Sequence, residues 1–450
     1  MSEVVGAAPA EPHPWRRAIA WLAFLGPFFF LSYGFATWLT AQRAAVPSIV
    51  FAWERAIPFW PWTIVPYWII DLAYGLSLFV CTSKRELDTH AKRLLAAQLV
   101  AVSIFIAAPL RFSFTPPAVD GTAGLLFAAL ARFDQPFNQL PSLHIALAAI
   151  LWALYARKLA GVARRAMEVA CLVICASVLT TWQHHFVDLP TGWLLGMLCV
   201  WAWPQADEGD GRPVAAHWSV TRDRQRWRLS VRYALGAVAC AAVALRGGGW
   251  ALWLLWPAVS LALVALAYAA LGPAAFQKRD DGNLSAAARW LFAPYLAGAW
   301  INSRAWTAGT GQPREVMDGV YVGRIPTARE LAASPFAAIV DLTAEFDLRA
   351  GKRGYACVPM LDLVPPSPEA LAHAARAIQQ LRRSGPVLAC CALGRSRSAC
   401  AVAAWLIATG RASDGAAAVR MLQAGRAAVV LGQAHLSALA AMAGAGSAAD

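Results

Sequence analysis

Between Ala18 and Ala270 the chain is a succession of apolar runs separated by short basic or polar stretches, and no other feature limits its fold as much. The runs are Ala18–Leu39, Ile57–Cys81, Leu94–Leu110, Ile145–Tyr155, Ala166–Thr181, Gly192–Trp203, Tyr233–Leu245 and Trp250–Leu271. A helix crosses a bilayer in about 20 residues, so the longer runs suffice and the shorter ones extend into semi-polar flanks. The pattern predicts about eight spans. Composition agrees. Only 14% of the 450 residues are charged and 59% are hydrophobic, against about 25% charged in soluble chains. The first run follows Arg16 and Arg17 and exceeds the roughly 7–15-residue core of a cleaved signal peptide, which favours an uncleaved span.

The charges between the runs set an orientation. With the N-terminus in the cytoplasm, the inner loops hold Lys84, Arg85, Lys92, Arg93, Arg157, Lys158, Arg164 and Arg165. They also hold Arg222, Arg224, Arg226 and Arg228, while the outer side has only Arg43, Arg55, Arg111, Arg132 and Arg246. Positive charge stays inside, so an even number of spans returns the C-terminal region to the cytoplasm. The net charge of +13 follows from these loops. No basic stripe with interleaved aromatics marks a nucleic-acid surface. The nine cysteines form no disulfide pattern, and the four in the C-terminal region (Cys357, Cys390, Cys391 and Cys400) suit a reducing compartment.

From about residue 311 the sequence has soluble character. Val320–Gly323, Ala337–Leu342, Ala356–Met360 and Val387–Cys391 read as strands. Ser367 is placed to cap a helix through Arg383, and a second helix is expected from Ser398 to Thr409, closed by Gly410. The expected domain is α/β. Residues 273–310 mix Lys278 and Arg279 with Trp290, Phe292, Tyr295 and Trp300, which suits a segment lying in the membrane interface or a helix packed on the soluble domain.

The strand Val387–Cys391 runs into Ala392-Leu393-Gly394-Arg395-Ser396-Arg397-Ser398 and then a helix. Cys followed six residues later by Arg is weak by itself, since chance gives roughly 0.7 such pairs in this chain. The setting carries the information. Gly394 permits a tight turn, and the N–H groups of a loop feeding a helix N-terminus converge on an anion. Those donors, with Arg395 and Arg397, are expected to favour the Cys391 thiolate. Arg397 can grip two phosphate oxygens, and Ser398 can assist the sulfur as it attacks or leaves. Cys391–Ser398 resembles the phosphate loop of dual-specificity protein tyrosine phosphatases, with Gly394–Ala399 most similar to the mitochondrial phospholipid-phosphatase branch. Asp318–Gly323 and Val340–Thr343 resemble early strands of that family. The resemblance spans about Gly311–Ala441 and implies Cys391 as nucleophile, Arg397 and Ser398 as its partners, and Asp362 as general acid. It also implies Gly394, Arg395 and Ser396 as phosphate-binding residues, with no metal and no cofactor. Cys390 stands where the family usually has His; Asp341 and Asp318 read as structural.

Two polar segments interrupt the apolar body on its outer side: Asn138–His144 and Gln183–Asp188. Ionisable groups at a span boundary are functional candidates. Asp188 follows His184 by one helical turn and can hold one ring nitrogen, leaving the other nucleophilic. His144 could then protonate a leaving alcohol and Ser142 could bind phosphate oxygen. These segments resemble the second and third motifs of type 2 phosphatidic acid phosphatases, closest to the inositolphosphotransferase-like subgroup, over about Trp15–Trp203. The first basic motif of that family is missing and no Arg stands six residues before His184, so Arg111 is taken as the substitute phosphate ligand.

The resulting expectation is a multi-span α-helical domain followed by a soluble α/β phosphatase domain. Its parts are a phosphatidic-acid-phosphatase-like region (1–204), a basic loop and hairpin (205–272), an interfacial linker (273–310) and the dual-specificity-like domain (311–450). The order resembles bacterial fusion proteins of the inner membrane, with the His184 site facing outward. The expected partners are membrane lipids and a lipid phosphate or phosphoprotein substrate. A headgroup transferase with a regulatory phosphatase, or a membrane-anchored protein phosphatase, are the alternatives.

Overall fold

The computed structural model describes residues 12–132, 134–425 and 429–446. They form two compact units, one ending at Gln205 and one beginning at Ala206.

The first unit is helical: α1 (Trp15–Ala41), α2 (Ile64–Val80), α3 (Lys84–Ala107), α4 (Gly121–Leu130), α5 (Leu143–Lys158), α6 (Gly161–Thr180) and α7 (Asp188–Ala202). Each of the first six apolar runs becomes a helix, and α4 is an element the hydropathy pattern did not single out. The helices α5 and α7 lie against each other with little between them. A Cβ on Gly192 would come within 2.4 Å of the Ser142 carbonyl oxygen, and one on Gly196 within 2.5 Å of that of Ala146. This Gly-x-x-x-Gly spacing lets the two backbones touch, and it sets the start of α7 beside the start of α5.

The second unit opens with a hairpin of α8 (Arg224–Gly247) and α9 (Leu255–Leu266). Among the described residues five stretches are long and apolar enough to cross a membrane: Trp15–Ala41, Pro61–Val80, Lys84–Ala107, Arg224–Gly247 and Gly249–Phe276. The eight expected spans therefore divide. α5 and α7 have 16 and 15 residues, about 24 and 22 Å at 1.5 Å per residue, short of a roughly 30 Å hydrocarbon core. α6 has 20 residues but opens on Arg164, Arg165 and Glu168.

After the hairpin come α10 (Ala286–Leu291) and α11 (Ala293–Trp306), then β1 (Arg314–Met317), β2 (Val320–Arg324), α12 (Ala328–Ala332), β3 (Ala338–Thr343) and β4 (Gly354–Met360). α13 (Pro368–Leu381), β5 (Val387–Cys391), α14 (Arg397–Ala408), α15 (Gly415–Gly425) and α16 (Gln433–Gly446) complete the unit. The sheet order is β1-β2-β5-β3-β4. β5 is central and parallel to β2 and β3, and β1 is an antiparallel edge that the sequence reading omitted. All five residues of β5 are buried, as a central parallel strand requires. Ser367 caps α13 by accepting from the Ala370 N–H, as its position suggested.

Residues 273–310, read as an interfacial linker, pack on the sheet. Buried Lys278 pairs with buried Asp341 on β3 and donates to the Thr343 carbonyl at 2.8 Å. Trp300 meets Phe346 edge to face at 5.5 Å. Ser303 Oγ donates to the Ala392 carbonyl at 2.6 Å, just beyond β5. Burial lowers the Lys278 ammonium's affinity for its proton, but Asp341 outweighs burial and holds it above the usual lysine value.

Candidate functional site

β5 ends at Cys391, and α14 begins six residues later. In an open sheet, ligands bind beyond the carboxyl ends of parallel strands. The loop that fills this place closes on the sulfur. The Gly394 N–H donates to Cys391 Sγ at 3.3 Å, and Ser398 Oγ lies 3.3 Å from the same sulfur. Gly394 is required for two reasons. Its φ is +69°, and a Cβ there would lie 2.4 Å from the Gly323 carbonyl carbon of β2. The strand pleat puts Cys390 on the opposite sheet face, among Ile325, Leu331 and Ile339. Burial and then Asp341 push the Cys390 thiol well above its usual range, so it stays neutral and away from Cys391.

Arg397, the first residue of α14, is almost fully buried. Its Nη1 and Nη2 donate to Glu345 at 2.9 and 2.6 Å in a two-pronged pair, and Nη1 also donates to the Met360 carbonyl at 2.9 Å. Nη2 lies 3.1 Å from Asp362 Oδ1. Burial opposes the charge, yet Asp362 and then Glu345 more than compensate, and the guanidinium is held well above its ordinary pKa. Its Nε–H is buried and has no hydrogen-bond partner. Glu345 was not picked out by the sequence reading. It is one of several acidic residues after β3, and only the course of that loop brings it to Arg397.

The side chains of the next two loop residues have partners outside the loop. The Arg395 side chain donates to the Trp306 carbonyl at the end of α11, and Ser396 Oγ lies 3.0 Å from His435 Nε2. Their side chains, expected to bind phosphate, are thus engaged with neighbouring helices. Asp341 pairs with Lys278, and Asp318 with Arg411 at 2.8 Å.

In the helical unit a second set of side chains meets where α5 and α7 start. His184 Nε2 lies 3.1 Å from Ser142 Oγ, and Nδ1 lies 3.2 Å from Asp188 Oδ2. Ser142 Oγ also accepts from the Ile145 N–H as the cap of α5. The neighbouring His185 accepts the Ser113 N–H on Nε2, so Nδ1 carries the proton donated to Glu54 at 2.8 Å. His144 does not bond to His184. It stacks on Tyr67 at 4.2 Å, and its Nε2 is buried without a partner.

His144 and His184 line a cavity shared with Tyr33, Tyr67, Asp71 and Asp134, and no Lys or Arg is among the described residues that line it. Tyr33 donates to Asp134 at 2.7 Å. Arg111 is absent from this cavity; its side chain is exposed, because its segment runs beside Pro47, whose carbonyl takes the Arg111 N–H. Among the described residues no group of three or more His, Cys, Asp and Glu side chains is arranged to hold a metal ion.

A family described as "Polymorphic toxin system, DSP-PTPase phosphatase" matches residues 318–411. No curated protein matches the chain significantly. Among solved structures, Tk-PTP in its active form is 25% identical and covers 29% of this chain and 96% of its own, with a TM-score of 0.27. Human DUSP28 is 21% identical over 30% of this chain and 99% of its own, with a TM-score of 0.28. PTPMT1 in complex with PI(5)P is 17% identical over 30% and 97%, with a TM-score of 0.28.

Proposed function

The C-terminal domain is dual-specificity-phosphatase-like and the protein is a phosphatase; we propose that it is membrane-bound and hydrolyses phosphomonoesters on lipid headgroups or lipid precursors through phosphocysteine at Cys391. One observation carries the chemistry. The Cys391 sulfur sits on the floor of a loop whose Gly394 N–H and Ser398 hydroxyl reach it at 3.3 Å, beside an Arg397 locked by Glu345. Five long apolar helices and exposed apolar side chains along them, such as Leu31, Leu72, Leu235 and Leu245, support the membrane reading. The basic loops support a cytoplasmic phosphatase domain in a bacterial inner membrane.

The mechanism follows from the hydrogen-bond capacity of Arg397. Four of its five N–H groups face Glu345, Met360 and Asp362, and the fifth, on Nε, is unpartnered. A phosphate entering the loop takes Nε–H and competes for the Nη2 hydrogen now facing Asp362. Asp362, which lies 3.1 Å from that nitrogen, is thereby freed to face the leaving oxygen. The sulfur then attacks phosphorus, the bond to the leaving oxygen breaks, and Asp362 gives that oxygen its proton. Water next attacks phosphocysteine, Asp362 takes the proton from water, and Ser398 donates to the departing sulfur. Glu345 stays on the far edge of the guanidinium throughout and fixes its plane.

The Ser142–His184–Asp188 chain favours a second, histidine-based phosphatase or phosphotransferase site on the outer face. Asp188 holds Nδ1–H, which leaves the Nε2 lone pair as nucleophile.

Full-length protein in mixed micelles tests the main reading. Phosphate release is compared between a lipid phosphomonoester and a phosphopeptide, for wild type and Cys391→Ser. Lipid is expected to turn over faster, and Cys391→Ser to abolish release from both. Much faster peptide turnover sinks the lipid preference. A new phosphodiester lipid formed with an added alcohol acceptor assigns transfer to the His184 site.

A further inference from the structure

The loop carrying Asp362 is held by the helical hairpin. Tyr268, on the last turn of the second apolar stretch, donates to the Asp362 carbonyl at 2.9 Å. Gln225, on the first turn of α8, donates its amide to the Leu363 carbonyl. Leu363 adopts φ +59°, a left-handed conformation uncommon outside glycine, and its side chain is 57% exposed. Backbone strain and an exposed apolar side chain beside a catalytic acid ask for an explanation.

The first turns of α8 supply one. Arg224, Arg228 and Arg232 recur every fourth residue and so share a helix face. A cleft of about 370 Å³ opens between this face and the loop, lined by Gln225, Arg228, Leu229, Arg232 and Leu363. That volume lies in the roughly 300–1,000 Å³ range of small-molecule sites. Arg226, in the same turn, is satisfied by the Tyr268 and Ala267 carbonyls. Arg228 and Arg232 differ: among the described residues neither has a hydrogen-bond or ion-pair partner.

We infer that Arg228 and Arg232 form an anion subsite for the phosphodiester of a membrane lipid whose headgroup ends in the reacting phosphomonoester. This rests on the lipid reading above and adds to it a second anion subsite on the hairpin, outside the loop that holds Cys391. Two guanidiniums can each grip phosphate oxygens at the depth where basic side chains meet lipid headgroups. Leu363 lies at the lip of the cleft, where an exposed leucine meets acyl chain or interface rather than water. The terminal phosphate then reaches the Cys391 loop past Asp362, whose backbone the same hairpin holds.

The test is steady-state kinetics of the full chain in mixed micelles, wild type against Arg228→Ala/Arg232→Ala. Three probes are used: phosphatidylglycerophosphate, its deacylated water-soluble headgroup, and para-nitrophenyl phosphate. The double substitution is expected to raise KM for the lipid roughly 10- to 100-fold, as loss of charge-assisted hydrogen bonds implies. kcat should change far less, KM for the aryl phosphate should move at least tenfold less, and Arg228→Lys/Arg232→Lys should recover part of the loss. An unchanged lipid KM overturns the subsite, as does an equal rise on all three probes. An equal rise for lipid and soluble headgroup, but not aryl phosphate, overturns its assignment to membrane-borne substrate. If wild type turns over aryl phosphate and no lipid, the lipid reading itself fails.

Discussion

The Cys391 site and the His184 site both bury a reactive atom near the start of a helix, and their electrostatics are opposite. Around Cys391 the inward groups are N–H donors, a hydroxyl and a guanidinium, and Glu345 faces the back of that guanidinium. Around His184 the nearby charged groups are carboxylates: Asp188, Asp134 and Asp71, with Glu54 one residue further on. The first site is prepared for a phosphate dianion before one arrives. The second joins His184 to Asp188 and Ser142, and no Lys or Arg stands among the described residues lining its cavity.

The sharpest way to break this contrast is to remove each nucleophile. Cys391→Ser should lower phosphate release from aryl phosphate by about 10⁴-fold or more, the scale for losing a covalent nucleophile. His184→Ala should move the same rate by less than about twofold, because sites with no shared partners behave independently. Comparable losses from both would mean that the two sites do not act independently.

Asp362→Asn comes next. General acid catalysis is worth about 10²–10⁴, so kcat on an alkyl phosphate should fall by that factor. An aryl phosphate, whose leaving group needs no proton, should lose much less. Equal losses on both would remove Asp362 from the acid role.

Glu345→Ala leaves Arg397 buried with less compensation. Stability should drop by about 3–5 kcal/mol, the cost of breaking a buried pair from one side, read as a lower urea midpoint. An unchanged midpoint would mean that Glu345 does not hold the cation. The smallest effect is expected in the helical unit. In a Cys391→Ser background, Asp134→Asn should tighten inorganic phosphate binding by roughly three- to tenfold, measured by phosphorus NMR line broadening, since one nearby negative charge is gone. No change would show that the carboxylate does not face the ligand.

Much of the α/β domain was readable in the sequence because local chemistry and global position agree there. β5 runs over the five residues that its apolar run outlined, Ser367 caps α13, and Gly410 takes a positive φ after α14. The pairing of His184 with Asp188 was also readable from their four-residue spacing, although His184 lies in the turn that leads into α7 rather than on a helix. What escaped depends on long-range folding. Glu345 lies 52 residues from Arg397, and nothing near it distinguishes it from Asp347. Nor does the sequence show that Arg395 donates to the Trp306 carbonyl at the end of α11, or that His144 stacks on Tyr67.

The Lys278–Asp341 pair bears on how the catalytic domain can be excised. Its lysine holds its proton through the neutral range, so the stabilisation is complete below the ordinary lysine value of 10.5 and is lost as pH rises from there through the elevated folded value. A fragment starting at residue 311 would lose Lys278, Ser303, Trp300 and the hairpin's grip on Asp362 together. It would expose an uncompensated carboxylate on the central sheet. The catalytic portion is therefore not a portable module that begins where the first strand begins. Its self-sufficient form includes the hairpin, so transplanting the enzyme means transplanting those two long apolar helices as well.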